Sequence, residues 1–288
     1  MKRKLTSYLR KLPDKKFLKI MYFLKTKRIL HLFPPKTFNE KIQWLKLYYR
    51  DSKLNVVVDK YEMKKYVSSI IGNEYIVPTY GIYNTPEDIK YDTLPDKFVL
   101  KCTHNSGGII ICKDKLLLDK QKANARMQEQ LKINYYYIWK EWAYKNVRPR
   151  IICEKYLCTN YNDLYDYKFF CCNGKAVLVQ VDFGRFTNHK RNIYSLNWEL
   201  TNVQIEYKND KTKIIDKPKK LEEMKYIAEK ISKGFPFLRV DMYYVDEKIY
   251  VGELTIYHGA GFEKIKPYKY NIILGNMINL DSIGDKKL

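Results

Sequence analysis

Three charged residues interrupt one apolar, β-rich stretch of the chain. Arg239, Asp241 and Glu253 lie within residues 237–262, which read FLRVDMYYVDEKIYVGELTIYHGAGF. The stretch alternates on both sides of a turn at residues 245–248, and this pattern predicts a β-hairpin. Residues two apart point to the same face of a strand, so Arg239 and Asp241 share a face that Glu253 on the partner strand can also reach.

Charged side chains within an apolar sheet need a partner, because an unpaired buried charge is costly. One cation and two carboxylates on a sheet face suit Mg²⁺ bound to phosphates. The ion takes one or two carboxylates and fills its remaining positions with phosphate oxygens and water. A buried ion pair between Arg239 and either Asp241 or Glu253 explains the same pattern equally well. The hairpin alone therefore leaves both interpretations open.

A second candidate site follows a predicted strand nearer the N-terminus. Lys101 ends an apolar strand that begins at Phe98, and the residues CTHNSGG lead to a return strand at residues 109–112. Gly107 and Gly108 would let the backbone approach a phosphate closely and aim its N–H groups at it. A hairpin loop without a ligand is the alternative, but a lysine inside an apolar strand favours a nearby anion.

Further motifs connect these two candidate sites. Residues 154–157 (EKYL) close one predicted strand, residues 166–168 (DYK) open another, and residues 173–174 form the turn of a predicted hairpin. Together with FNEKIQWLKLYYR, DKFVLKCTHNSGG, DYKFF, LRVDMY and GELT, they resemble the ATP-grasp superfamily. Within it they resemble the TupA-like branch of amide ligases linked to bacterial surface polysaccharides. The resemblance runs from about residue 34 to residue 280.

The resemblance implies an α+β ATP-grasp fold. In this fold two α+β subdomains grip ATP between antiparallel sheets, here with an N-terminal helical extension. Residues 1–75 are expected to form the helical region, 76–157 the N-terminal nucleotide-binding subdomain, and 158–288 the C-terminal catalytic subdomain. Thr37 and Glu40 agree with a helix start in the first region, because their spacing is that of a capping box.

The resemblance also implies a reaction, in which an ATP-dependent ligase phosphorylates a carboxylate and an amine then attacks the acyl phosphate to give an amide. The implied cofactors are ATP and Mg²⁺. The expected ATP-binding residues are Lys101, His104, Ser106, Gly107, Gly108, Glu154, Lys155, Tyr156, Leu157, Asp166 and Lys168. The expected catalytic residues are Arg239, Lys168, Asp241 and Glu253, and the expected metal ligands are Asp241, Glu253 and Thr255. Substrate contacts are expected at Arg185, His189, Arg191, His258 and Gly259, the first three in a predicted basic loop at residues 183–194.

One position departs from the wider superfamily. There the second metal-binding carboxylate is followed two residues later by Asn, whereas Glu253 is followed by Leu254 and Thr255. A threonine hydroxyl is a weaker metal ligand than an amide oxygen. The sequence therefore leaves open whether one or two metal ions bind.

The formal net charge of +22 calls for an anionic partner. Basic surfaces attract nucleic acid, anionic membranes or phosphorylated substrates, and salt weakens all three. Binding to nucleic acid is disfavoured, because the charge is spread along the chain and no RNA- or DNA-binding module is recognisable. A glycosyltransferase or phosphotransferase that uses the same phosphate-binding residues is the alternative enzyme, since a fold does not fix a reaction.

The implied substrates are a uronic acid or other carboxylate on a sugar nucleotide or lipid-linked glycan, and an amino acid or amino alcohol. No apolar run is long enough for a membrane span and no secretory signal is present, so we expect a cytoplasmic protein. Residues 1–33 are rich in lysine and include a predicted amphipathic helix from Asp14. This helix could contact the anionic inner face of the plasma membrane. Packing on the protein body with a solvated lysine face is the commoner arrangement.

Overall fold

The structure is a computed structural model that describes residues 8–158, 164–184 and 188–283. Eight α-helices, numbered in chain order, are described here: α1 Asp14–Thr26, α2 Phe38–Tyr48, α3 Lys53–Val58, α4 Glu62–Ile71, α5 Lys120–Leu131, α6 Tyr136–Trp139, α7 Leu221–Ser232 and α8 Lys269–Asn276. The strands are β1 Thr79–Tyr83, β2 Phe98–Cys102, β3 Ile110–Cys112, β4 Ile151–Lys155, β5 Asp166–Cys172, β6 Lys175–Phe183, β7 Lys190–Tyr194, β8 Gln204–Ile205, β9 Phe237–Val245, β10 Lys248–Thr255 and β11 Ile265–Lys266.

The first sheet has four strands in the order β1-β4-β2-β3, all antiparallel to their neighbours. Phe98, Leu100 and Cys102 alternate along β2 and are fully buried, because they pack against Met127 of α5. The intervening residues of β2, including Lys101, point to the opposite face. This alternation presents the Lys101 side chain on the face away from the apolar cluster.

The second sheet has five antiparallel strands in the order β10-β9-β5-β6-β7. The hairpin predicted around residues 245–248 is confirmed: β9 and β10 pair across a two-residue turn in which Asp246 and Glu247 both have positive φ. Val240 and Met242 are buried in the same apolar cluster as the inner face of α7. Arg239 and Asp241 alternate with them and therefore lie on the other face of the sheet.

Helix α2 joins the N-terminal region to both sheets. Its predicted capping box is present: the Thr37 side chain accepts a hydrogen bond from Glu40 N, and the Glu40 carboxylate accepts one from Thr37 N at 2.9 Å. Phe38, Ile42 and Leu45 are fully buried in the cluster that underlies the second sheet. The cap therefore fixes where this helix begins, and its apolar side fixes what it packs against.

Helix α1 begins at Asp14 as predicted, but Pro13 rather than Asp14 is the residue that precedes the first turn. Phe17, Leu18, Met21 and Tyr22 are buried with Leu30, Leu32 and Phe262. The predicted packing on the protein body is thus present for this side of the helix. Residues 1–7, the start of the basic segment, lie outside the described residues.

One segment differs from the sequence prediction. Residues 183–194 were predicted to form a basic loop, but β6 continues to Phe183 and β7 begins at Lys190, so Arg191 is a strand residue. Residues 116–144 are mainly helical, in α5, α6 and the 3₁₀ turns at Lys115–Leu117 and Trp142–Tyr144. Among the described helices, none is both long and apolar enough to cross a bilayer.

Candidate active site

Charged side chains cross one face of the second sheet from edge to edge. Register places Asp241 of β9 opposite both Lys168 of β5 and Glu253 of β10. It also places Asp166 opposite Asp182 on β6, which in turn pairs with Arg191 on β7. Five neighbouring strands therefore contribute one continuous polar row.

A β-bulge at Gly252 brings Glu253 into this row. The ladder pairs Val251 with Met242 and then Glu253 with Asp241, so Gly252 is the extra residue. A Cβ atom at Gly252 would lie 2.5 Å from the ring of Tyr243. Only glycine leaves room for that ring. Without the extra residue Glu253 would turn to the apolar face, since a shift of one residue reverses every side chain.

Asp241 is the most heavily engaged carboxylate of the row. It accepts bidentate hydrogen bonds from Arg239, with Nε to Oδ1 at 2.7 Å and Nη2 to Oδ2 at 2.6 Å. Lys168 donates to Oδ2 at 2.9 Å and also contacts Asp166. Burial opposes ionisation, but the charges of Arg239 and Lys168 outweigh it and hold the pKa of Asp241 below its ordinary value.

The network continues from Arg239 to the edge of the sheet. Arg239 Nη1 lies 2.7 Å from His258 Nδ1, and His258 Nε2 lies 3.0 Å from a Glu263 oxygen. Since a guanidinium can only donate, Nδ1 accepts and the neutral imidazole carries its proton on Nε2. Burial lowers the pKa of His258, in keeping with that neutral form. Glu263 also pairs with Arg191 at 3.0 Å.

Arg191 closes the network into a ring. Its Nε donates to Asp182 Oδ1 at 2.7 Å, and Asp182 lies 3.9 Å from the Lys168 ammonium. The side chains of this charge ring, each no more than about a quarter exposed, are Lys168, Asp182, Arg191, Glu263, His258, Arg239 and Asp241. Because each member contacts two others, the ring holds the guanidinium of Arg239 in one orientation.

The first sheet carries a different cluster, which we call the lysine cluster: Lys60, Lys64 and Lys101 around Glu154. Lys101 and Lys64 contact the two oxygens of Glu154 at 2.5 and 2.6 Å. Burial alone would raise the pKa of Glu154. The two ammonium groups outweigh this effect, so the pKa lies below its ordinary value and the carboxylate stays ionised. Lys64 also donates to Val77 O at 2.5 Å, which ties α4 to the segment before β1.

The glycine loop after β2 has an anchored base and an open tip. Thr103, His104 and Asn105 are buried, and Asn105 donates to Gln130 O at 3.1 Å. Gly107 and Gly108 follow with φ of +106° and +63°, values that a residue with a side chain adopts only at a cost. Their N–H groups lie at the exposed end of the loop, where an anion can reach them.

Lys60 links the lysine cluster to the second sheet. Its ammonium donates to Asn105 O at 2.5 Å and lies 3.7 Å from Glu253 Oε1. Burial lowers its pKa, and both Lys101 and Glu253 act on its charge. The glycine loop, the lysine cluster and the carboxylates of the second sheet therefore meet at one place.

A cavity of about 540 Å³ opens beside this meeting point. Arg239, Glu253 and Thr255 line it from the second sheet, and Ser106 lines it from the glycine loop. The remaining wall comes from the segments around residues 135–144 and 257–264, with the exposed residues Lys25 of α1 and Glu206 at the rim. A molecule in this cavity would thus contact the glycine loop and Arg239 at once.

The structure brings most of the residues predicted for ATP and metal binding together. Lys101 and Glu154 pair on the first sheet, and Lys168, Arg239, Asp241 and Glu253 share a face of the second. The segment at residues 155–157 follows β4 directly, with Lys155 exposed and Leu157 buried. The roles assigned to these residues stay predictions.

The residues predicted to bind substrate are placed less uniformly. Gly259 lines the cavity, whereas Arg191 and His258 are buried in the charge ring and are not among its lining residues. His189 lies 3.7 Å from Asp182, and Arg185 falls outside the described residues. Their burial favours a positioning role for Arg191 and His258, because His258 contacts Arg239 directly and Arg191 reaches it through Glu263 and His258.

Sequence reasoning missed several members of the site. Lys60, Lys64 and Glu141 lie in segments that read as ordinary helix, and Asp182 and Glu263 belong to no motif that the sequence analysis recognised. The available signal is weak: Asp182 follows an apolar run in β6, as Asp241 does in β9. A charge at the end of an apolar strand is a clue to a buried ion pair, but it does not name the partner.

The carboxylates at this site suit a hard divalent cation. Glu253 has its side chain about one-third exposed and faces the cavity, whereas both oxygens of Asp241 opposite it accept hydrogen bonds from Arg239 and Lys168. Glu253 is therefore the more accessible of the two predicted carboxylate ligands. Within residues 8–158, 164–184 and 188–283 no group of three or more His, Cys, Asp or Glu is arranged around a possible ion. Mg²⁺ needs no such group, because phosphate and water complete its octahedron. Thr255 is less suited, since its hydroxyl accepts a hydrogen bond from Arg239 at 3.0 Å.

A family model described as TupA-like ATPgrasp matches residues 40–279 of this chain. The match includes the glycine loop, the lysine cluster and all strands of both sheets. Among curated proteins no sequence matches the chain.

Several solved structures resemble the chain at low identity. One is a D-alanine–D-alanine ligase from Bacillus anthracis complexed with ATP, 17% identical, with a TM-score of 0.41 and coverage of 85% of this chain and 66% of that one. Another is the ATP-grasp ligase PsnB complexed with a precursor variant, Mg and ADP, 9% identical, with a TM-score of 0.41 and coverage of 75% and 57%. The D-cycloserine synthetase DcsG is 12% identical, with a TM-score of 0.42 and coverage of 78% and 70%. The chain thus spans less than two thirds of the length of the first two structures. Because all three TM-scores are below 0.5, the family membership of the chain rests on the family match alone.

Proposed function

Because the chain belongs to the TupA-like ATP-grasp family, we propose that it joins a carboxylate to an amine with ATP, and that the carboxylate is carried by a sugar. Family membership confirms the α+β ATP-grasp class expected from the sequence motifs, and the ligase type of enzyme is part of the proposal. The division into residues 1–75, 76–157 and 158–288 is part of the proposal.

One observation carries this proposal: Lys60 joins a cation-rich cluster on one sheet to a carboxylate pair on the other. Lys64 and Lys101 both contact Glu154, and Lys60 donates to Asn105 O and lies 3.7 Å from Glu253. The lysine cluster therefore has positive charge to spare for a phosphate chain. The carboxylates of Glu253 and Asp241 are placed to hold the cation that accompanies such a chain. An anion and its metal can therefore bind between the two sheets.

ATP and Mg²⁺ supply the activating phosphoryl group and neutralise its charge. Lys101 and the N–H groups of Gly107 and Gly108 would hold phosphate oxygens. Glu253 and Asp241 would hold the metal, and Lys155, Tyr156 and Leu157 would border the adenine. Arg239 faces the cavity with its orientation fixed by the charge ring, so it can stabilise charge on the transferred phosphoryl group without rearranging.

The nature of the acceptor is the finer part of the proposal. A uronic acid or similar carboxylate on a sugar nucleotide or lipid-linked glycan carries phosphate, and a chain with a net charge of +22 attracts such a substrate. The amine would be an amino acid or amino alcohol. The product would enter capsular or cell-surface polysaccharide.

Peripheral contact with an anionic membrane is proposed for helix α1. Its outer side exposes Ile20, Phe23 and Leu24 next to Lys15, Lys16 and Lys19. Apolar residues beside lysines suit the interface of an anionic leaflet, where each lysine adds about 1 kcal/mol. A lipid-linked acceptor would bring the enzyme to that surface.

The test is an incubation of the chain with Mg·ATP, UDP-linked uronic acids and a pool of amino acids and amino alcohols. ADP release that requires both a carboxylate and an amine, with a product heavier by the condensed amine, is the expected result. The variant Glu253→Gln serves as the control and should release no ADP. ADP release that requires the sugar but no amine would instead indicate a phosphotransferase.

A further inference from the structure

One part of the cavity wall is not used by the nucleotide or the metal. Residues 135–144 include α6 and contribute four aromatic or acidic side chains to the cavity: Tyr135, Trp139, Glu141 and Tyr144. Tyr257 and Phe262 lie across from them. This wall faces Arg239 and Glu253, which are proposed to hold the transferred phosphoryl group and the metal.

Glu141 is a buried carboxylate without a direct partner. It is 5% exposed, lines the cavity, and forms no side-chain hydrogen bond or ion pair with any described part of the chain. Burial raises its pKa to about 7, and the charge of Lys46 lowers it only in part. A buried carboxylate without a paired cation is a favourable binding site for a positively charged group.

Lys46 does not fill that site, because its ammonium donates to two backbone carbonyl oxygens instead. It donates to Trp139 O at 3.0 Å and to Ala260 O at 2.6 Å, and it lies 4.5 Å from the centre of the Phe262 ring. These contacts hold the two walls of the cavity together. The negative charge of Glu141 therefore remains available to a molecule inside.

Aromatic rings surround the same space. Tyr135 and Tyr144 meet edge to face with centroids 5.0 Å apart, and Trp139 and Phe262 lie 5.5 Å apart. Ring faces attract cations, and a carboxylate framed by aromatic rings is a typical recognition site for ammonium groups. A sugar carboxylate or phosphate would be repelled from this position by Glu141.

We propose that the cavity beside Arg239 binds the amine co-substrate, with its ammonium group held by Glu141 among the rings of Tyr135, Trp139 and Tyr144. The inference rests on the proposed ligase function and assigns the amine side of that reaction. The volume of about 540 Å³ suits a small amine together with the reacting end of the acceptor. Since Arg239 and Glu253 line the same cavity, an amine at Glu141 faces the activated carboxylate.

The probe is n-propylammonium, with n-propanol and propionate as neutral and anionic molecules of matched size. Titration by calorimetry at pH 8 keeps Glu141 ionised. The full chain is expected to bind propylammonium at least tenfold more tightly than the other two. Glu141→Gln should lower this affinity about tenfold or more, because it removes the charge and keeps the shape. Glu206→Gln, at the exposed rim of the same cavity, should leave it unchanged.

Three results would overturn the inference: equal affinity for propylammonium and propanol, unchanged binding by Glu141→Gln, or an equal loss in Glu206→Gln. Thermal unfolding checks that each variant is folded. If Glu141→Gln does not fold, Glu141→Asp withdraws the carboxylate by one methylene, and unchanged binding by that variant would count against the site.

Parallel titration with Mg·ATP separates this inference from the proposed function. Loss of propylammonium binding with nucleotide binding intact is the expected signature of Glu141→Gln. A chain that binds propylammonium at Glu141 but not Mg·ATP would refute the ligase while leaving the ammonium site in place. A chain that binds Mg·ATP but binds propylammonium, propanol and propionate with equal affinity would refute the ammonium site alone.

Discussion

The lysine cluster and the charge ring are both buried sets of charges, but their balance differs. In the cluster, Lys64 and Lys101 share the carboxylate of Glu154, and Lys60 lies 3.7 Å from Glu253. In the ring, the cations Lys168, Arg191 and Arg239 alternate with Asp241, Asp182 and Glu263, and the neutral His258 completes the circuit. The cluster has a surplus of positive charge, whereas the positive and negative charges of the ring balance each other.

This difference indicates two uses of buried charge. A cluster with surplus cations gains energy when an anion arrives, so it suits reversible binding of phosphate. A compensated ring gains little from a ligand, but removal of one member leaves another charge uncompensated, which costs about 3–5 kcal/mol. Substitutions in the cluster should therefore change affinity, and substitutions in the ring should change stability.

Among these substitutions, Asp241→Asn is expected to have the largest effect on the charge ring. The substitution leaves Arg239 and Lys168 without their shared carboxylate, so we expect the free energy of unfolding to fall by about 3–5 kcal/mol. Mg²⁺-dependent binding of ATP should also be lost. Urea denaturation and calorimetry with and without Mg²⁺ measure the two effects.

Glu253→Gln is the matched control, since Glu253 is a partly exposed carboxylate with its nearest cation at 3.7 Å. It should lose the Mg²⁺-dependent part of ATP binding with less than about 1 kcal/mol change in stability. Equal stability of Asp241→Asn and the parent chain would show that the ring does not hold the fold.

Lys101→Met and Lys168→Met compare one lysine from each set. Lys101→Met removes a contact to phosphate worth about 1.5–3 kcal/mol and should weaken ATP binding roughly tenfold or more, with little change in stability because Lys64 still pairs with Glu154. Lys168→Met removes the cation next to Asp166 and Asp241 and should lower stability as well as affinity. Calorimetry and urea denaturation of both variants give the comparison, and the opposite order of stability losses would contradict it.

Glu141 provides a test of how a buried carboxylate without a paired cation affects stability. Its pKa is raised by burial from 4.5 to about 7, so the folded chain binds a proton more tightly than the unfolded chain. The stability contributed by the protonated acid is complete below about pH 4.5 and declines as the pH rises toward 7. Lys46 and Glu253 are the charged neighbours that act on it.

We expect Glu141→Gln to remove this decline, on the order of 2 kcal/mol between pH 5 and pH 7.5. Urea denaturation of both chains at the two pH values measures the difference between them, which cancels the titration of groups that do not interact with Glu141. Lys46 is the coupled neighbour, because burial lowers its pKa to about 7 and the charge of Glu141 raises it. If the variant and the parent lose stability in parallel, Glu141 titrates at its ordinary value and burial does not isolate it.

The smallest effect is expected at the surface, where charges are solvated. Reversal of Lys15, Lys16 and Lys19 to Glu should weaken co-sedimentation with vesicles that contain anionic lipid, by about 1 kcal/mol per residue. The same reversal at the exposed residues Lys208, Lys211 and Lys217 is the control. Binding of the parent chain should fade with added salt. Equal binding by both triple variants would show that α1 serves only to pack through Phe17 and Tyr22.

The hairpin and its charged pair illustrate what could be predicted from the sequence. Alternation of apolar and polar residues places Arg239 and Asp241 on one strand face whatever the rest of the fold does, because side chains alternate strictly along a strand. The same reasoning located β2, the glycine loop and the capping box at Thr37. Motif resemblance added the family, since several short patterns occur together in order.

The partners of those charges were decided only by the tertiary structure. Arg191 was assigned to a loop, yet it lies in β7, where strand order brings it to Asp182, and the chain between β10 and β11 brings Glu263 to it. Lys60 and Glu141 belong to segments without any chemical motif, and they reach the site because α4 and the residues after α6 pack against it. Local patterns report which face a side chain occupies. Long-range packing alone determines which charge it meets there, because contacts between residues far apart in sequence depend on the path of the whole chain.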